Sequence, residues 1–132
     1  MPKKLTLGKD ERLKSRKAID LLFKEGQRFS VSPFRVFFLR TGDTGLQFGT
    51  GVSARNFKKA VDRNRIKRLS REAWRLQKIP LQTALEKNKT GLHLFLIYTG
   101  NEMTEYKLVY EKVTLIINKL LKLVHENDTP HT

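Results

Sequence analysis

Between Lys58 and Arg75 the chain reads KKAVDRNRIKRLSREAWR, where eight of 18 side chains are Lys or Arg and only Asp62 and Glu72 oppose them. Charge at that density must be solvated or neutralised by a polyanion. Guanidinium groups fork onto phosphate oxygens and stack on bases, which ammonium groups do less well. Each phosphate they neutralise releases condensed counterions, giving salt-dependent affinity without sequence preference. The chemistry this stretch is equipped for is binding of nucleic acid, ahead of an anionic membrane or an acidic protein.

At about 100° per residue, a helix from Lys58 to Lys78 separates two faces. Ile66, Leu69, Ala73 and Leu76 cluster on one side, suited to docking on a sheet. Arg63, Asn64, Lys67, Arg68, Arg71, Arg75 and Lys78 spread over the other. Arg65 falls beside the apolar stripe, near Glu72 and Leu76, and is expected to anchor a loop or carboxylate. Asn64 has two readings. Its amide donates and accepts, which suits a sugar hydroxyl, a base edge or a hydrated metal ion; equally, it tolerates exposure. Trp74 lies at the rim between Arg63 and Lys78. Packing against the N-terminal arm or a loop is its expected role, with base stacking as the other. Asp62, near the helix start, complements the macrodipole.

The charge is placed unevenly. Of the formal +14, residues 1–79 carry all of it, and from residue 80 onward six basic residues meet six acidic ones. Such asymmetry makes a directed field. With no cysteine, disulfides, thiolate metal sites and thiol catalysis are excluded. His93, His125 and His131 form no ligand cluster, and neither a Ser-His-Asp set nor a carboxylate cluster suited to two metals is visible. No catalytic residue is assigned, and metal ligands are unknown. No apolar run is long enough to span a bilayer, and the N-terminus lacks a secretory core; a cytoplasmic protein without membrane partners is expected.

These residues must be held by a scaffold, and its elements follow from period and punctuation. The 132 residues read as one domain, with a flexible basic arm over 1–12 and a disordered tail over 126–132. Ser15 could cap a helix carrying Ile19, Leu22 and Phe23, stopped by Gly26 as a C′ residue. Phe34 to Arg40 reads as a strand, and Leu46, Phe48, Thr50 and Val52 alternate as its hairpin partner across the turn bracketed by Gly42 and Gly45. A short strand near Arg28–Val31 is a further option. The basic helix ends before Pro80 and a loop runs to Gly91. LHLFLIY, residues 92–98, suits a central strand covered on both faces. A last helix starts near Thr104, burying Tyr106, Val109, Tyr110, Val113, Ile117, Leu120 and Val124. The result is a small α/β sandwich.

The stretch Phe48 to Glu72, FGTGVSARNFKKAVDRNRIKRLSRE, resembles the signature of the bacterial ribonuclease P protein subunit. Ala60, Val61, Arg63, Asn64, Arg65, Lys67 and Arg68 match its Ala-Val-x-Arg-Asn-Arg-x-Lys-Arg pattern, extended by Arg71 and Glu72. RLKSRKAIDLLFKEG resembles the family's opening helix through Leu13, Phe23 and Gly26, and the likeness covers residues 10–125. The resemblance implies a two-layer sandwich of αβββαβα order with a left-handed βαβ crossover, like the second domain of ribosomal protein S5. It also implies a ribonucleoprotein whose RNA subunit removes the 5′ leader of precursor tRNA using Mg2+ held by that RNA and its substrate.

By the same resemblance, Arg55, Lys58, Lys59, Arg63, Asn64, Arg65, Lys67, Arg68, Arg71 and Arg75 would meet the ribonuclease P RNA or position its metal. Ile19, Phe23 and Phe37 would line the cleft that holds the single-stranded leader; DNA is no expected partner. Composition alone would place Phe23 and Phe37 in a core. Two departures from the family stand out: Ile19 replaces an aromatic residue, and Phe37 stands where Tyr is common. TGNEMTEY after Tyr98 is also less basic than the family's strand ending. Gly49-x-Gly51 is no nucleotide fingerprint and is expected to permit close backbone approach. A generic RNA-binding module, a protein-only nuclease and a helix-turn-helix DNA binder are the rival readings.

Overall fold

A computed structural model describes residues 8–42 and 45–128. Ser15 caps α1 (Arg16–Glu25), its hydroxyl accepting from the Ala18 N–H at 3.3 Å. Gly26 ends that helix as expected, in extended backbone. Its glycine is required by space: a Cβ there would lie 2.4 Å from the Leu22 carbonyl and 2.9 Å from that of Phe38.

Four strands follow, β1 (Gln27–Val31), β2 (Phe34–Thr41), β3 (Gly45–Val52) and β4 (Gly91–Tyr98), in the sheet order β1-β2-β4-β3. β1 and β2 form the hairpin, so the optional strand near Arg28 is real. The expected pairing of β2 with β3 is not made. β4 lies between them, antiparallel to β2 and parallel to β3. Alternation had correctly marked β3 as half-buried but carries no information about its partner. The turn at residues 43–44 lies outside the described residues.

The basic helix, α2, spans Ala60–Gln77. The segment expected as a loop beyond it holds a second helix, α3 (Ile79–Lys87). Pro80 sits in the first turn of α3, where its missing N–H breaks no helical bond. The parallel β3–β4 pair is thus joined through α2 and α3, and α4 (Tyr106–Asp128) closes the fold. Tyr110 is exposed on α4, whereas Val109, Val113, Ile116, Ile117, Leu120 and Val124 are buried. α4 runs through residues 126–128, part of the expected disordered tail; residues 129–132 lie outside the described residues.

Alternate strand residues face opposite ways. Phe34, Val36, Phe38, Phe48, Leu94 and Leu96 join α2, α3 and α4 in the larger apolar cluster. On the other face Phe37 joins Leu13 and Leu22, with Ile19, Phe23, Phe95 and Ile97 partly buried around them. α1 therefore covers only part of that outer face.

Residues 8–12 do not behave as an arm. Lys9–Glu11 form a 3-10 turn, and the Leu13 N–H donates to the Phe48 carbonyl at 2.9 Å. Glu11 accepts from Lys78, which is fully buried, and from Gln82 at 2.7 Å. Lys78, read as part of the open cationic face, is thus an internal partner. Residues 1–7, the rest of the expected arm, lie outside the described residues.

Candidate nucleic-acid interface

The buried stripe of α2 is Ile66, Ser70, Ala73 and Trp74, spaced i, i+4, i+7 and i+8. This stripe is rotated from the expected one: Leu76 is 40 % exposed, while Trp74 is 1 % exposed and stacks on Phe48 with ring centroids 4.5 Å apart. Trp74 belongs to the core rather than to the rim, packed on β3 and closed to base stacking. Ser70 can be buried because its hydroxyl donates to the Ile66 carbonyl at 2.9 Å.

This rotation leaves Asn64, Arg65, Arg68 and Arg71 exposed, with Lys67 and Arg75 partly so. Asn64, Arg68, Arg71 and Arg75 recur at i, i+4, i+7 and i+11, a single stripe of roughly 16 Å at 1.5 Å per residue. Arg75 shares its guanidinium with Glu72 at 2.5 and 3.1 Å. That hydrogen bond holds the Glu72 carboxyl below its ordinary range and raises the Arg75 pKa.

Arg63, not Arg65, is the arginine that anchors a loop. Arg63 turns back to donate to the carbonyls of Phe57 at 2.7 Å and Lys58 at 2.8 Å, tying the β3–α2 loop to the helix. Arg65 is exposed and available to a ligand. The wheel gave angular position but not the location of the loop along the axis, and the loop decides which arginine is engaged.

The loop itself is built. Phe57 is buried, the Ser53 N–H donates to the Tyr98 carbonyl at 3.3 Å, and the Asn56 amide donates to the carbonyls of Thr99 and Gly100 at 3.0 and 3.2 Å. Arg55, Lys58 and Lys59 are left on its exposed side. Asn56 was missed by sequence reasoning. Nothing in its local sequence points to a partner 43 residues away.

The outer sheet face supplies a different chemistry. Phe23 meets Phe37 edge-on at 4.9 Å and Phe95 at 5.2 Å. Phe37 is 7 % exposed and the Arg28 guanidinium lies 5.4 Å from its ring, so Phe37 supports Phe23 from beneath rather than standing open itself. Ile19 and Phe23 remain partly open, as do Phe95 and Ile97, which the expectation of a strand covered on both faces had hidden. A Cβ at Gly49 would stand 2.6 Å from the Phe95 ring and one at Gly51 3.2 Å from it. The close approach expected of Gly49-x-Gly51 is thus to an aromatic ring. His93, on the same strand face, has its pKa lowered by burial.

Among the described residues no three His, Asp or Glu side chains converge as a metal site. Nor is any described helix long and apolar enough to cross a membrane. The pieces are a cationic helix stripe, a cationic loop and a partly open aromatic face.

Comparison with known proteins gives these pieces a family. Residues 7–123 match the family model described as Ribonuclease P. The ribonuclease P protein component of Porphyromonas gingivalis is 32% identical over 111 residues, covering 82% of this chain and 81% of its own. That of Dictyoglomus turgidum is 37% identical over 78 residues, covering 59% of this chain and 65% of its own. Among solved structures, the RNase P protein of Thermotoga maritima superposes with a TM-score of 0.65 at 27% identity, over 83% of this chain and 96% of the other. The Staphylococcus aureus protein gives 0.66 at 21% identity, over 86% and 99%, a likeness of fold alone. The chain belongs to the ribonuclease P protein family.

Proposed function

We propose that this chain is the protein subunit of a ribonuclease P ribonucleoprotein, binding the catalytic RNA and the 5′ leader of precursor tRNA. The observation that carries the reading is the exposed Asn64–Arg68–Arg71 stripe on α2, held by the buried Phe48–Trp74 stack beneath it. Arg65, Lys67, Arg55, Lys58 and Lys59 flank that stripe, and Arg75 contributes the share of its charge that Glu72 leaves. Folded RNA brings phosphates close together, and this surface lowers their repulsion without reading sequence.

The outer face takes the leader. Unstacked bases need aromatic or apolar surface, and Phe23, Phe95 and Ile19 offer it partly uncovered. Phe37 keeps those side chains in place. Mature tRNA lacks a leader, so this contact favours substrate over product.

The donor set on this chain does not fit a resident magnesium site. The stripe offers a single neutral amide, Asn64, and no carboxylate cluster converges among the described residues. Magnesium therefore belongs with RNA phosphates in this reading, and no bond-breaking step is routed through the protein. The test is affinity of the assembled holoenzyme for precursor tRNA and for the same tRNA without its leader. Tighter binding of the leader-bearing form, reduced by Phe23→Ala, is expected; equal binding of both forms would defeat the leader assignment.

A further inference from the structure

A cavity of about 350 Å³ opens beside β3, at the edge of the sheet. Arg12, Lys14 and Arg71 border it, with Leu13, Phe48 and Gly49 among its walls. Leu13 belongs to the outer apolar cluster and Phe48 to the inner one, so the cavity straddles the seam between the two faces. Arg71 comes from the exposed stripe of α2, while Arg12 and Lys14 lead into α1, which walls the aromatic face. The cavity thus lies between the two surfaces already described and shares Arg71 with the first of them.

The placement of Arg12 and Lys14 is built rather than incidental. The residue between them, Leu13, is buried and donates its N–H to Phe48, and Arg12 forms a parallel bridge with Phe48. Just upstream, Gln47 donates to the Asp10 carbonyl at 3.2 Å, and Glu11 is held by Lys78 and Gln82. These bonds spend backbone groups and the Glu11 carboxylate to fix the segment. The two cations therefore stand over the cavity without having to find it.

Three cations around one concavity call for an anion with several acceptor oxygens. We propose that this cavity is a phosphate subsite for single-stranded RNA, carrying a backbone phosphate round the sheet edge between the α2 stripe and the aromatic face. A single strand can follow that edge, and a stiff duplex cannot. The proposal rests on the RNA-binding reading above and adds to it the path by which one chain reaches both surfaces.

The test uses the full chain with Arg12→Gln and Lys14→Gln together, which keep side-chain length while removing charge. Affinity for a fluorescent single-stranded RNA oligonucleotide is measured across a salt series, beside a blunt RNA duplex of equal length. Losing one single-strand phosphate contact should make the slope of log affinity against log salt shallower by about 0.7. Duplex affinity should stay within about twofold in a variant whose cooperative melt shows that it is folded. Wild-type slope and affinity for the single strand would overturn the subsite, as would an equal loss for single strand and duplex. Stimulation of a ribonuclease P RNA by the unmodified chain is scored separately. Its failure alongside the expected slope change would sink the ribonuclease P reading while supporting the subsite.

Discussion

On the inner face of the sheet Phe48 lies flat on Trp74, and Val36, Leu94, Leu96 and Ile66 around them are fully buried. On the outer face Phe23 meets Phe37 and Phe95 edge-on, and only Leu13, Leu22 and Phe37 of that cluster are buried. The same strands supply both faces by simple alternation. The inner face commits its aromatic area to stability, whereas the outer face leaves part of its area to be completed by something else. A partly covered aromatic surface beside a cationic edge is suited to an unpaired RNA strand.

If that division is right, substitutions on the two faces separate stability from binding. The largest effect is expected from Trp74→Ala, which removes a fully buried ring and costs about 4 kcal/mol in a denaturant melt. Phe23→Ala, only partly buried, should cost about 1–2 kcal/mol of stability. Its loss of leader affinity should be comparable to that of one stacked base, also about 1–2 kcal/mol. Equal stability losses at the two positions would erase the distinction between the faces.

Next comes the tie beneath the sheet edge. Glu11→Gln leaves buried Lys78 without its carboxylate, at a cost of about 3 kcal/mol, the lower end for a broken buried pair because Glu11 still touches water. Burial raises the Glu11 pKa, but Lys78, the Gly8 N–H and Gln82 outweigh it and hold the carboxyl below the ordinary 4.5. A depressed carboxyl stabilises fully above 4.5, and that stability fades as pH falls through the folded-state value. Wild-type stability should therefore drop in acid more than that of Glu11→Gln, measured by melts across that range.

Smaller in stability but specific in binding are the α2 arginines. Arg68→Ala and Arg71→Ala sit on an exposed face, so each should shift stability by less than about 0.5 kcal/mol. Each should also make the salt dependence of binding to folded RNA shallower by about 0.9 per lost contact. Arg63→Ala should differ from both, loosening the loop carbonyls of Phe57 and Lys58 and destabilising the fold measurably. The smallest change is expected from Glu72→Gln, which removes one carboxylate from beside Arg75 and steepens that salt slope by no more than about 0.9.

Much of this was legible because the relevant signals are local. The cap at Ser15, the alternation of β3, the apolar run of β4 and the cationic run of α2 each stand in a few consecutive residues. The errors lie where a distant partner decides. β4 separates β2 from β3 although each strand reads the same either way. Lys78 and Trp74 read as surface and rim on the wheel, yet Glu11 and Phe48 draw them inside. Arg63 and Arg65 differ by two positions in one motif, and only the course of the loop distinguishes an anchor from an open contact. Phe95 was hidden by the expectation of full coverage, because the ten-residue length of α1 says nothing of how much sheet it shields.

Cleavage of a precursor tRNA by a bacterial ribonuclease P RNA at low magnesium, with and without this chain, tests the central claim most directly. The account predicts strong stimulation, lost when Asn64, Arg68 and Arg71 are changed together to alanine in a protein that still melts normally. No stimulation, alongside tight and salt-sensitive binding to unrelated RNAs, would contradict it and leave a generic RNA-binding protein.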